Sequence, residues 1–185
     1  MRKSICAFSM TVAMAAAAAD FTFFNIVPNV EGDEEKLAAE MAEYHRLTGG
    51  DLVLYMLPCA PEGKPATAKI DGHVASYRAF AAACREADPG LKVGILIQSL
   101  LGHFVGDAVV RDREDWQRSV TSDGMAYRWC PLDPSFRVYV KETAQRLAAE
   151  RPCFVLTDDD VRDINGECFC PLHAAELNRR TGRSR

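Results

Sequence analysis

Four short apolar runs alternate with four amphipathic segments along this chain, and that alternation limits its fold more than any other feature. Phe21 to Val27 is rich in β-forming residues and ends at Pro28-Asn29. Asp33 to Leu47 follows with helical spacing at Leu37, Met41 and Tyr44, an acidic first turn, and Gly49-Gly50 as its stop. Leu52 to Leu57 is continuously apolar, the pattern of a strand buried on both faces. A loop from Pro58 to Lys69 leads to a second helix, with Val74, Tyr77, Phe80, Ala81 and Cys84 on one face and a break at Asp88-Pro89-Gly90. Val93 to Ile97 is the third strand, and a long connection from Gln98 to Leu132 follows it. Asp133-Pro134 caps a third helix with Phe136, Val140, Ala144 and Leu147 turned inward. Cys153 to Thr157 is the fourth strand, and the last helix runs from near Pro171 to Gly182.

Strands that alternate with helices pair in parallel through crossovers, so the expected class is α/β. A doubly wound sheet and a barrel both satisfy the alternation. No Gly-rich loop follows the first strand (Val27-Pro28-Asn29-Val30-Glu31-Gly32), which removes the main support for a dinucleotide fold. Asn25, Gln98 and the run Asp158 to Asp160 fall at C-terminal strand ends or just beyond, where barrel enzymes place their chemistry. The expectation is a partial (β/α)8 TIM barrel of about four βα units, occupying residues 20–185.

The N-terminus is different in kind. Met1-Arg2-Lys3 is positive, Ser4 to Ala16 is uncharged and mostly apolar, and Ala17-Ala18-Ala19 offers an A-x-A cleavage site. That is the anatomy of a signal peptide over residues 1–19, and the apolar run falls short of the roughly 20 residues of a membrane span. Cys6 has no lipobox around it. The mature chain is therefore expected to be secreted or periplasmic, with no membrane association after signal removal. The composition, 48% hydrophobic and 26% charged, is that of a globular domain with a real core. The formal net charge is -4, and basic residues cluster only at Arg179, Arg180, Arg183 and Arg185. Such a cluster is a solvated helix end, and no nucleic-acid partner is expected.

Two constellations carry chemistry. In Thr157-Asp158-Asp159-Asp160 three adjacent carboxylates repel one another, and a pocket at a strand end would desolvate them as well. One of them is expected to hold its proton towards neutrality, as a general acid for glycoside cleavage must. A divalent-metal site and a helix-capping loop are the competing readings. In Cys168-Phe169-Cys170-Pro171-Leu172-His173, two thiolates and an imidazole lie close enough in sequence to share one tetrahedral zinc ion. Cys130, in Arg128-Trp129-Cys130-Pro131, is the best fourth ligand. A disulfide such as Cys130 to Cys168, or unpaired thiols, would use the same residues differently. Cys84 and Cys153 read as packed thiols.

The stretch from Tyr127 to Arg180 resembles glycoside hydrolase family 42, the β-galactosidases. That family has an aromatic-Cys-Pro motif before a helix, a strand ending in Asp-Asn-Glu, and a Cys-x-Cys-x-x-Cys motif opening the next helix. Here the matching residues are Trp129-Cys130-Pro131, Asp158-Asp159-Asp160, and Cys168 to His173. The resemblance implies that Asp160 stands at the acid/base position and Asp159 at the position of a substrate-contacting asparagine. It further implies that Cys130, Cys168, Cys170 and His173 hold a structural Zn2+, all four positions being protein-filled. Asp158, Asn25 and Gln98 are expected to join Asp159 around a carbohydrate substrate. Asp160 is one methylene shorter than glutamate, withdrawing the donor by about 1.5 Å. A displacement of that order can cost about a hundredfold in rate. A complete barrel takes about 250 residues. Retaining cleavage needs a second carboxylate about 5 Å from the first, which the family draws from its seventh strand.

The expected function is thus a β-galactosidase-like glycoside hydrolase domain (O-glycosyl hydrolysis), truncated and of low or no activity alone. Self-association through exposed strand edges is expected of such a half. A non-catalytic zinc-stabilised carbohydrate-binding module, and a metal-dependent hydrolase using Asp158 to Asp160, are the alternatives. Of the remaining residues, His45 is expected to face solvent and His73 to start a helix. His103 is a candidate for the pocket, and Trp116 and Trp129 suit either sugar stacking or packing.

Overall fold

The computed structural model describes residues 24–100, 115–158 and 168–182. The signal-peptide reading of residues 1–19 and the expectations for His103, Asp159 and Asp160 lie outside them. The α/β class holds: four parallel strands form one sheet, with four helices among the described residues. In chain order these are β1 (Phe24–Val27), α1 (Glu34–Thr48), β2 (Leu52–Pro58), α2 (Ile70–Ala87) and β3 (Lys92–Gln98). A hairpin of β4 (Arg118–Val120) and β5 (Ala126–Trp129) comes next, then α3 (Pro134–Ala149), β6 (Val155–Thr157) and α4 (Pro171–Thr181). The sheet order is β1-β2-β3-β6, so each βα unit adds its strand beside the previous one.

The strands alternate faces, and parallel register carries each face across the sheet. Asn25 is level with Val53 and Val53 with Val93, and Val27 with Tyr55 and Tyr55 with Ile95. These residues, Asn25 and the half-buried Val93 apart, are buried and meet α1 and α2 through Ala38, Met41, Val74, Tyr77, Phe80 and Cys84. Tyr55 stacks on Phe80 with ring centroids 4.7 Å apart, and the Tyr77 hydroxyl donates to the Val93 carbonyl at 3.1 Å. The opposite face carries Ile26, Leu54 and Gly94 in one row and Met56, Leu96 and Leu156 in the next. Gly94 is required there, since an added Cβ would lie 2.7 Å from Leu54 Cδ2 and 2.8 Å from the Phe154 carbonyl oxygen.

At the top of the helix-covered face a polar network ties β2 to α2. The Tyr55 hydroxyl lies 2.6 Å from Ser76 Oγ and donates to Asn29 Oδ1 at 2.8 Å. Asn29 Nδ2 in turn lies 3.2 Å from His73 Nδ1, and His73 Nε2 lies 3.1 Å from the Pro58 carbonyl. A carbonyl only accepts, so the proton sits on Nε2 and Nδ1 accepts from Asn29. Burial holds the imidazole below its ordinary 6.5, with the Pro58 contact opposing.

Several sequence expectations are corrected. The long connection contains the β4–β5 hairpin, whose strands are too short to show a period. The buried stripe of α3 is Phe136, Tyr139, Thr143 and Leu147, and Ala144 is exposed. Its stripe passes through a threonine, which a search for apolar spacing steps over. His45 is not a solvent-facing side chain but pairs with Asp88 across 2.7 Å. Cys84 is packed as expected, whereas Cys153 is exposed. The cap of α3 is as read, with Asp133 Oδ1 accepting from Phe136 N at 2.8 Å and Pro134 opening the first turn.

Two measurements check this packing. Gly94→Ala is expected to lose about 1–3 kcal/mol in chemical denaturation, because a backbone oxygen must yield to the methyl. His73 favours its neutral form when folded, so its contribution is complete above about 6.5 and declines as pH falls below that value, where the unfolded chain binds the proton first. Stability measured at pH 7.5 and about 5.5 should therefore fall more in the parent than in His73→Gln.

Candidate functional site

The connections after β3 and β6 meet at one cluster. The hairpin delivers Cys130 directly after β5, held by its amide donating to the Gln117 carbonyl at 2.9 Å. Gln117 N in turn donates to Asp133 Oδ2 at 2.9 Å, so the residue that caps α3 also fixes the hairpin. From the other connection, Phe169 N donates to the Val120 carbonyl at 2.8 Å, laying Cys168 and Cys170 along β4. Cys170 stands at the N-cap of α4 and Pro171 opens that helix. A three-residue step along the first helical turn then brings His173 to the same side as Cys170.

The ligand atoms of Cys130, Cys168, Cys170 and His173 all lie within 4.8 Å of one another. Cys130 Sγ is 3.5 Å from Cys170 Sγ and 3.3 Å from His173 Nδ1, and Cys170 Sγ is 3.4 Å from His173 Nδ1. A tetrahedral ion with bonds of about 2.3 Å to sulfur would space its sulfurs about 3.8 Å apart, close to what the side chains already hold. Cys130 and Cys170 are buried, while Cys168 and His173 are half-buried. Burial pushes the Cys130 thiol up to about 12, and the neighbouring cysteines add to the rise. Burial opposes ionisation of Cys168 too, but hydrogen bonds from the backbone of Cys170 and Val120 and from the Ser119 hydroxyl leave it below the usual thiol value. The four residues can hold one metal ion, and the sulfur-rich donor set suits a soft or borderline cation.

The second feature lies at the C-terminal ends of the adjacent strands β3 and β6. Gln98 Nε2 donates to Asp158 Oδ2 at 3.4 Å, and Asp158 N donates to the Ile97 carbonyl at 3.1 Å. Both side chains belong to the face that carries Leu96 and Leu156, away from α1 and α2. Asn25 is not brought to them. It shares the helix-covered face with Val53, and its Nδ2 lies 3.5 Å from Met41 Sδ. The parity of β1 places it there, and a strand end alone does not reveal parity. Trp129 is 2% exposed, edge-on to Trp116 at 5.4 Å between ring centroids, and so serves packing rather than stacking on a ligand. Sequence reasoning passed over Ser119, buried beside Cys168, because an isolated serine in a short strand carries no signal.

No family model matches the chain, and neither a curated protein nor a solved structure is found similar to it.

The cluster predicts metal binding that is linked to pH. Each thiol must lose its proton to bind, so affinity should fall as pH falls and metal uptake should release protons. Cobalt(II) titration is expected to saturate near one ion per chain, with Cys170→Ser abolishing the thiolate absorption and Cys153→Ser leaving it unchanged. At free metal about 100-fold above Kd, the parent should gain about 2.7 kcal/mol in stability.

Proposed function

We propose that this chain is a carbohydrate-active domain of β-galactosidase-like glycoside-hydrolase type, a partial (β/α) barrel braced by a structural zinc ion and exported by its leader. One observation supports the reading above the others. Gln98 and Asp158 sit side by side at C-terminal strand ends on the face opposite α1 and α2. The connections that leave those two strands are the ones that share the Cys130, Cys168, Cys170 and His173 cluster. Barrel glycosidases carry their acid at such a strand end.

In this reading Asp160 is the proton donor, and Asp158, Asp159 and Gln98 contact the sugar. Zinc is filled by four protein ligands, which leaves no position for water and makes its role that of a brace. Cleavage with retention needs a second carboxylate about 5 Å away, on a strand later in the barrel. This stretch of chain by itself should bind galactosides with little or no turnover.

The test is equilibrium binding of a galactoside to the zinc-loaded chain and to Asp159→Ala. Loss of a hydrogen bond to a charged group, about 1.5–3 kcal/mol, predicts a drop in affinity of about tenfold or more. Unchanged binding in the variant, or turnover of an aryl galactoside by the parent at ordinary enzyme rates, would contradict the reading. Elemental analysis is expected to find about one zinc per chain.

A further inference from the structure

At the opposite end of the same strands lies a polar groove of about 730 Å3, between the C-terminal half of α2 and the turn that follows α3. Its lining includes Arg78, Arg85, Lys92, Arg151, Glu150 and Cys153. Four cations and one carboxylate among those six residues stand out on a chain of formal net charge -4.

The ion pairs within the groove leave a defined excess. Glu150 accepts both guanidinium donors of Arg78, at 2.5 and 2.7 Å, and Lys92 donates to Asp51 at 2.5 Å. Arg85 and Arg151 have no ion-pair partner among the described residues. Two exposed guanidinium groups thus line one concavity with no ion-pair partner among the described residues, an excess of positive charge that attracts an anion.

The backbone supplies a second, independent observation. Arg151 follows α3 with φ at 54°, its amide donating to the Ala148 carbonyl at 3.0 Å. That is the left-handed position which ends a helix, and glycine is its usual occupant. The equivalent turns after α1 and α4 use Gly49 and Gly182. After α3 the chain carries an arginine at a conformation that strains any side chain bearing a Cβ, and such strain collects where the side chain has a task.

The geometry points to an anion-binding site in this groove, taking a tetrahedral oxyanion of the phosphate class, with Arg85 and Arg151 as its principal ligands. Guanidinium groups match such an anion with paired, charge-assisted hydrogen bonds. The volume is large enough for a phosphorylated small molecule rather than the bare ion alone. The site is independent of the sugar reading, since Lys92 and Gln98 stand at opposite ends of β3, about 20 Å apart.

The experiment titrates the zinc-loaded chain with inorganic phosphate at constant ionic strength, chloride being the reference anion, and follows both the melting temperature and backbone amide shifts. The parent should respond saturably, with shifts confined to the ends of α2 and α3. Arg85→Ala and Arg151→Gly should each weaken binding by at least about tenfold. Arg179→Ala, whose arginine pairs with Glu176 on α4, should bind as the parent does. Arg151→Gly relieves the left-handed strain, so without phosphate it should melt higher than the parent even as it loses the ligand. A response to phosphate no greater than to chloride would overturn the proposal. So would full binding retained by both Arg85→Ala and Arg151→Gly.

Discussion

Three sulfurs and one imidazole drawn to within 4.8 Å join the end of the β4–β5 hairpin to the start of α4, a helix that buries no residue of its own. The β4–β5 hairpin has strands of three and four residues, and an isolated two-stranded hairpin is marginal in water. The helix α4 is 11 residues long and buries none of its own, whereas free helices shorter than about 12–15 residues scarcely persist. Of the two, only the hairpin reaches the core, through Trp129 of β5 packed against Trp116. A cation shared by Cys130, Cys168, Cys170 and His173 would cross-link the hairpin to the first turn of α4 and so give both elements a reason to stay folded. The cross-link also joins the two connections that flank Gln98 and Asp158.

What was legible in the sequence follows from how each signal is encoded. The faces of α1 and α2 were readable because apolar residues recur at helical spacing, and Val74, Tyr77, Phe80 and Cys84 are all buried. The strands of the sheet were readable as continuous apolar runs, because a parallel sheet needs apolar residues on both sides. That same doubling concealed which residues share a face. Asn25 was grouped with Gln98 and Asp158 from its place near a strand end, but the register Asn25 to Val53 turns it towards Met41. The inward face of α3 differs from the expectation at two positions, Tyr139 and Thr143 being buried where Val140 and Ala144 were expected, since Tyr139 and Thr143 carry hydroxyls and Val140 and Ala144 do not. The hairpin escaped because Arg118-Ser119-Val120 and its partner strand are too short for alternation to register.

The metal cluster was legible for a different reason. Cys168, Cys170 and His173 are local in sequence, and their spacing through an N-cap and one helical turn makes convergence almost unavoidable once Pro171 starts a helix. Cys130 is joined to them in sequence only as the best fourth ligand and by the family resemblance, and in the structure the hydrogen bond from Phe169 N to the Val120 carbonyl brings the hairpin to the start of α4. The partner of His45 was not legible, because Asp88 lies in the next βα unit and the two meet only when α1 packs on α2.

The sheet also limits where a hydrophilic ligand can sit. On the face opposite α1 and α2, Leu54 and Leu96 are buried, and Phe24, Ile26 and Phe154 are about half exposed. Leu52, Met56 and Leu156 complete an apolar surface that offers a sugar hydroxyl no hydrogen-bond partner. Among the described residues of β3 and β6, the polar ones of that parity are Lys92 at the start of β3, which is paired with Asp51, and Gln98 and Asp158 where the two strands end. Gly94 brings β3 against Phe154 closely enough to exclude even a methyl group, which fixes the lateral position of those two strands. The amide and the carboxylate therefore stand at the end of a strand pair held in close contact, and on this face a ligand that needs hydrogen bonds meets them at its tip. The connections that leave this tip are the ones the Cys/His cluster joins, so an ion bound there would tie together the chain that follows Gln98 and the chain that follows Asp158.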